Sequence, residues 1–200
     1  MEDLQDQLAI SALMQSWALA RDTGDWGKLR ATAHPGAAMT TTWFDGRFED
    51  FVESCEASFS KGSRSQHFLG GTVAEIKGAR AIAQTRMSIN VRSQLDGVEV
   101  DAVCTGRFFD RVEKREGVWR ISRRSVIYEK DRIDPVDPMQ RPKLDPKLLA
   151  RFPIGYRHLA YLQTKVGYKV KEDMPGLDGP ETDALYALGA GWLKGKKIGW

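Results

Sequence analysis

The chain has 200 residues, 42% hydrophobic and 28% charged, which supports one sizeable core and leaves too little for a second of equal size. Lys plus Arg number 30 against 27 Asp plus Glu, and the basic residues are scattered, so the net charge of +3 argues against a nucleic-acid partner. Cys55, Cys104 and three histidines form no spaced metal or redox motif, the start MEDLQDQLAIS lacks the basic residues of a secretion signal, and no apolar run reaches the ~18 residues of a membrane span. A soluble, cytoplasmic protein with no metal, cofactor or membrane partner is expected.

Ile10, Leu13, Met14, Trp17 and Ala18 recur at helical spacing, which predicts an amphipathic helix over 3–22 ended by Gly24. Asp25 can N-cap a second short helix running through Ala33 and stopped by Pro35 and Gly36. MTTTWF (39–44) reads as a strand ending at the Asp45-Gly46 turn, and residues 48–62 as a third helix. Four β-rich stretches follow, over about 66–76, 80–92, 98–113 and 118–131. Asp96-Gly97 is a hairpin signal, and Glu116-Gly117 turns the last pair. Helices first and a meander afterwards predict an α+β fold with the helices on one face of a curved sheet.

From Asp134 the texture changes. DPVDPMQRPKLDP holds four prolines in thirteen residues, which excludes helix or central strand. Two short helices follow, in GYRHLAYLQTKVGYKV and in ETDALYALGAGWLKG, the second opened by Gly179-Pro180-Glu181. Four tyrosines and two tryptophans lie beyond residue 150, too many aromatics for a disordered tail. The division expected is a domain over 1–133 and a Pro-rich arm with a helical extension over 134–200, docked on its own domain or on a neighbouring subunit.

Three features could carry chemistry. Asp22 falls in the last turn of the first helix, where the macrodipole disfavours a carboxylate by a few tenths of a kcal/mol to ~1 kcal/mol; it is either solvated or held by a partner, and an imidazole is an apt one. His67, in SRSQHFLGG, opens a strand beside Gly70-Gly71, where a ligand can come close; a histidine bonded to a nearby carbonyl is the plainer alternative. His34, before Pro35 in a turn, reads as a cap or as facing water, and His158 as part of a tyrosine-rich interface. In GVWRISRRSVIYEK, Ser122, Arg124, Val126 and Tyr128 alternate onto one face, and Trp119, Ile121, Arg123 and Ile127 onto the other. Alternation alone does not choose the cavity face, and an exposed basic edge would suit Arg120 and Arg123.

Asp22 followed by GDW, then HFLGG after the third helix, then GRFFDRVEKREGVWRISRR closing the sheet, together resemble the SnoaL-like family of the nuclear transport factor 2-like superfamily. Their order is most similar to scytalone dehydratases and lindane dehydrochlorinases. The resemblance covers roughly residues 3–132 and implies a cone-shaped α+β barrel, a deep pocket between helices and sheet, and an Asp-His dyad inside it. By position Asp22 and His67 match that dyad, and Arg124 matches an arginine that the dehydrochlorinase turns into its pocket. With that placement, alternation makes Met87, Ile89, Cys104, Phe108, Val126 and Tyr128 the substrate-binding wall, an apolar one. Trp17 joins them, standing where the dehydrochlorinase has a lysine one turn before its aspartate.

The function implied is a cofactor-free lyase or dehydratase acting on a small aromatic or alicyclic molecule. Asp22 would fix the His67 tautomer, His67 would take a proton from carbon, and Arg124, helped by Tyr128, would stabilise the developing negative charge. An isomerase or cyclase using the same proton transfer is the nearest alternative, and a non-catalytic ligand-binding or protein-docking module the next. The superfamily also implies a homo-oligomer, a trimer first and a dimer second.

Overall fold

The computed structural model describes residues 2–196. Trp200, one of the tail aromatics counted above, lies outside them. The chain opens with α1 (Glu2–Thr23) and α2 (Trp26–Ala31), the latter N-capped by Asp25, whose carboxylate accepts the Lys28 N–H at 3.1 Å. β1 (Ala33–Thr40), β2 (Asp45–Arg47) and α3 (Phe48–Ser60) follow. Four long strands complete the sheet: β3 (Ser65–Lys77), β4 (Arg80–Leu95), β5 (Val98–Arg115) and β6 (Val118–Pro135).

The sheet order is β2-β1-β6-β5-β4-β3, with β1 parallel to β6 and every other pair antiparallel. The cone is not closed by strand pairing, because β2 and β3 remain as its two edges. Both sequence-predicted turns take the left-handed conformation at both central positions, with φ of 51° and 86° at Asp96-Gly97 and 51° and 78° at Glu116-Gly117. That backbone twist matches the twist of the flanking strands and fixes the β4–β5 and β5–β6 registers.

Three expectations need correction. β6 runs into the proline-rich stretch as far as Pro135, and the proline is tolerated because β1 pairs with β6 only over 121–125, so the strand end has β5 on one side alone. The second helix stops at Ala31, and residues 33–40 form a strand although they contain Pro35. Proline is tolerated there because the β1–β6 register shifts between Ala33 and Ala38, so no regular ladder bond is required of it. MTTTWF contributes only its first two residues to that strand; Thr41 N–H then donates to Phe44 O at 2.7 Å in a turn. The third correction concerns the alternation along β6. Ile121 pairs with Val112 while Arg123 pairs with Arg111, leaving Ser122 as an extra residue. This bulge reverses the side-chain alternation, so Trp119 and Ile121 enter the same core as Val126 and Tyr128 instead of the opposite face.

That core lies between the helices and the inner face of the sheet. Ile10, Met14 and Trp17 of α1 and Phe51, Val52 and Cys55 of α3 meet Ala83, Phe108 and Val126 of the sheet, all essentially buried. The tail carries α4 (Pro146–Leu149), α5 (Arg157–Lys165) and α6 (Pro180–Leu193), and it wraps both faces. Phe152, Tyr156, Leu159 and Ala160 join the inner core. Trp192 and Leu193 of α6 cover Ile82, Phe109 and Ile127 on the other face. Gly189 permits that approach, since a Cβ there would come within 2.7 Å of the Phe109 ring. No described helix is long and apolar enough to cross a membrane.

Candidate active site

A cavity of about 720 Å³ opens between α1, α3, the inner face of the sheet and α5. Of the residues expected in its wall, Trp17, Ile89, Phe108, Val126 and Tyr128 line it, as does His67. Met87 and Cys104 do not: both are buried, and the tail covers Cys104, whose thiol donates to Gly155 O at 3.5 Å.

Asp22 and His67 come together across the end of α1 and the start of β3. One Asp22 oxygen accepts the His67 backbone N–H at 2.5 Å and the other meets Nδ1 at 2.6 Å. Two donors from one residue satisfy the carboxylate at the helix end that would otherwise disfavour it. An ionised carboxylate only accepts, so Nδ1 carries the proton and the Nε2 lone pair is left to the cavity; no described residue bonds Nε2. The His67 side chain is 8% exposed and Asp22 16%. Burial holds the His67 pKa below its ordinary value; the Asp22 carboxylate opposes this, and the charges of Arg21 and Arg124 add to it. The imidazole is therefore neutral at pH 7. Trp17 meets its ring edge-on with centroids 5.4 Å apart.

Arg124 does not line the cavity. Its Nε and Nη2 form a bidentate pair with Asp110 on the neighbouring strand, at 2.7 and 2.9 Å, and both side chains are 0% exposed. The guanidinium carbon lies 4.2 Å from the Trp17 ring centroid and 3.9 Å from that of Phe108, so these two rings cover it. Burial pushes the Asp110 carboxyl up and Arg124 pulls it back. Arg124 Nη1, Trp17 Nε1 and Ser65 Oγ are buried polar atoms with no partner among the described residues. Tyr128, by contrast, lines the cavity. Its hydroxyl oxygen accepts the Thr42 N–H at 3.3 Å, and burial raises the phenol well above its ordinary pKa, so it stays protonated with a hydrogen to donate.

The other two histidines are structural. His34 is buried and bonds the Glu113 carbonyl at 2.9 Å through Nε2, instead of facing water in a turn. His158 opens α5, where Asp131 accepts its backbone N–H, its Nδ1 and the Leu159 N–H at 2.5, 2.9 and 2.8 Å.

The rest of the lining was not identified from sequence. Met39, Thr41, Thr42, Trp43 and Phe51 come from the β1–α3 region, and Leu159, Leu162, Gln163, Val166 and Tyr168 from the tail. The tail thus forms a wall of its own chain's cavity. Gln163 accepts the Thr42 hydroxyl at 2.8 Å, the Lys171 N–H bonds Thr42 O at 2.7 Å, and the Tyr168 and Ser58 hydroxyls lie 3.0 Å apart. The aromatic richness of the tail was the available signal for this. Among the described residues, no group of three His, Cys, Asp or Glu could hold a metal ion.

An open cone of helices on a curved mixed sheet, with a pocket at its inner face, is the nuclear transport factor 2-like architecture. Solved structures with this fold include a hexachlorocyclohexane dehydrochlorinase, 13% identical, covering 72% of this chain and 96% of its own, with a TM-score of 0.57. A candidate scytalone dehydratase from Novosphingobium aromaticivorans is 17% identical, covering 72% of this chain and 100% of its own, with a TM-score of 0.55. A SnoaL-like domain matches residues 2–125, and the chain belongs to that family. Among its relatives, Pea pathogenicity protein 2 of Fusarium vanettenii is 34% identical over 205 aligned positions, covering 96% of this chain and 88% of the relative. An uncharacterised protein of Emericella nidulans is 33% identical over 210 positions with the same coverage. Both alignments are too long to exclude the tail, so the extension is shared with these relatives.

Proposed function

We propose that the protein is a lyase that removes a proton from carbon of a small aromatic or alicyclic substrate and expels a leaving group, as a dehydratase or dehydrohalogenase does. The observation that carries this reading is the pairing of both Asp22 oxygens with His67, which leaves an unprotonated Nε2 at a cavity walled in part by Trp17, Phe51, Phe108 and Val126. His67 is the general base, and Asp22 fixes its tautomer and stabilises the imidazolium formed. The Tyr128 hydroxyl, which lines the cavity and stays protonated, donates to the oxygen or leaving group that gains charge. Arg124 acts from behind Trp17 and Phe108: its charge depresses His67 basicity without touching substrate. In this reading the domain over 1–133 supplies the dyad, and the extension that follows it closes the cavity with its stretch from Leu159 to Tyr168. The family resemblance adds a homo-oligomer, a trimer before a dimer.

The test is a screen of small aromatic and alicyclic alcohols, ketones and halides for ultraviolet change and for release of water or halide, with His67→Ala as the blank. Turnover lost in that variant supports the reading. Product with no group lost points instead to an isomerase or cyclase using the same base.

A further inference from the structure

We infer that the ligand of this cavity carries an anionic group, a carboxylate being the simplest, held at the rim by Arg21, Lys61 and Arg64 while its apolar body reaches His67. The inference rests on the proposed reading for the role of His67, not for the charge of the ligand.

The cavity lining is electrostatically one-sided. Four cations line it, Arg21, Lys61, Arg64 and Arg92, and no aspartate or glutamate does. Arg92 is already matched, by a bidentate pair with Asp101 at 2.8 and 2.7 Å. The other three form no ion pair among the described residues. Arg64 donates to the Phe59 and Ser63 carbonyls at 2.7 and 2.8 Å and lies 3.6 Å over the Phe59 ring, which positions its guanidinium without neutralising it. Arg21 sits half-buried in the last turn of α1, where the helix dipole favours a cation, and its other contact is the neutral thiol of Cys55.

Placement gives the charges a common target. Arg21 immediately precedes Asp22, and Lys61 and Arg64 lie on the loop that leads into His67, so the cations sit on the same side of the cavity as the base. Deeper in, Trp43, Phe51 and Phe108 supply an apolar wall. A neutral ligand covering the half-buried Arg21 guanidinium would strip water from it and offer no charge in return. An anion on the rim satisfies it, and charge-assisted bonds to arginine are the strong kind. Field lines from unmatched cations in a cleft also raise the local concentration of an anionic ligand.

The experiment compares two fluorescent probes that differ by one sulfonate, 1-anilinonaphthalene-8-sulfonate and N-phenyl-1-naphthylamine, titrated into the full chain. The sulfonate should bind at least ~10-fold more tightly, displace the neutral probe competitively, and lose that advantage in about 0.5 M salt. Arg21→Gln and the pair Lys61→Gln/Arg64→Gln should each weaken the sulfonate by about threefold to tenfold while leaving the neutral probe unchanged, which also reports that the variants are folded. Equal affinity for the two probes, absence of competition, or equal loss of both in the variants would overturn the inference. Neither probe is turned over, so the result is independent of whether His67 acts as a base.

Discussion

Replacing Arg124 with methionine separates a buried electrostatic role from one in contact with substrate. The side chain is 0% exposed, as is that of Asp110, and the substitution removes the two hydrogen bonds to Asp110, of 2.7 and 2.9 Å, a third to the Met14 sulfur, and the stacking between Trp17 and Phe108. Removing one partner of such a pair leaves a buried carboxylate uncompensated, at a cost of roughly 3–5 kcal/mol. For a chain of this size each kcal/mol moves the melting temperature by roughly 2–4 °C, so a fall of about 6–20 °C is expected in thermal denaturation followed by circular dichroism. Burial already raises the Asp110 carboxyl, and without Arg124 it rises further. Protonation then relieves the penalty, so the gap between variant and parent should shrink as pH is lowered from 7 towards 5. Arg124→Met/Asp110→Leu, which removes both charges, should recover most of the loss. Arg123→Met, at a half-buried arginine that donates to the Thr40 hydroxyl at 3.2 Å, should cost under ~1 kcal/mol. An Arg124→Met protein melting within about 2 °C of the parent, with no gain from the second substitution, would refute the buried pair.

Three further outcomes are expected. Asp22→Asn should lower turnover by roughly a hundredfold to ten-thousandfold, because the amide no longer fixes the Nδ1–H tautomer, and adding His67→Ala should cost little more; independent losses in the double variant would contradict a dyad acting as one unit. Gly155→Ala should loosen the tail, since a Cβ there would run into the Tyr128 carbonyl; protease cleavage after residue 134 should quicken, and unchanged cleavage would show that the arm accommodates the methyl group. The His67 pKa is depressed in the folded state, so below its ordinary value of about 6.5 the unfolded chain binds the extra proton. Melting temperature should therefore fall as pH drops below that value and recover as pH rises towards neutrality, and His67→Gln should flatten the dependence; an unchanged slope in that variant would assign the effect elsewhere.

Much of the fold was legible where local chemistry and tertiary structure agree. The apolar stripe of α1, the capping aspartate of α2 and the two Asp-Gly and Glu-Gly hairpins each specify one conformation, and the structure adopts it. Asp22 and His67 could be flagged singly, by a carboxylate at an unfavourable helix end and a histidine at a glycine-flanked strand, but 45 residues separate them and only the fold brings them within 2.6 Å. Arg124 shows what sequence could not supply. Counting back from the Glu116-Gly117 turn would set Asp110 opposite Arg123; the extra residue at Ser122 shifts the register and sets it opposite Arg124. A bulge carries little local signature, so both the ion pair and the reversed orientation of Trp119 and Ile121 were hidden. The tail's part in the cavity was hidden for a different reason: its aromatic content showed that it must pack, but not where.

The arrangement of His67 can be measured before any substrate is known, by following imidazole nitrogen and carbon resonances of isotopically labelled protein against pH, assigned with His67→Gln. The dyad requires one histidine protonated at Nδ1 with a bare Nε2 at pH 7, a pKa below 6.5, and a change of tautomer population in Asp22→Asn. A His67 that is an imidazolium at pH 7, or a neutral ring carrying its proton on Nε2, would leave the cavity without a base and contradict the proposed reaction.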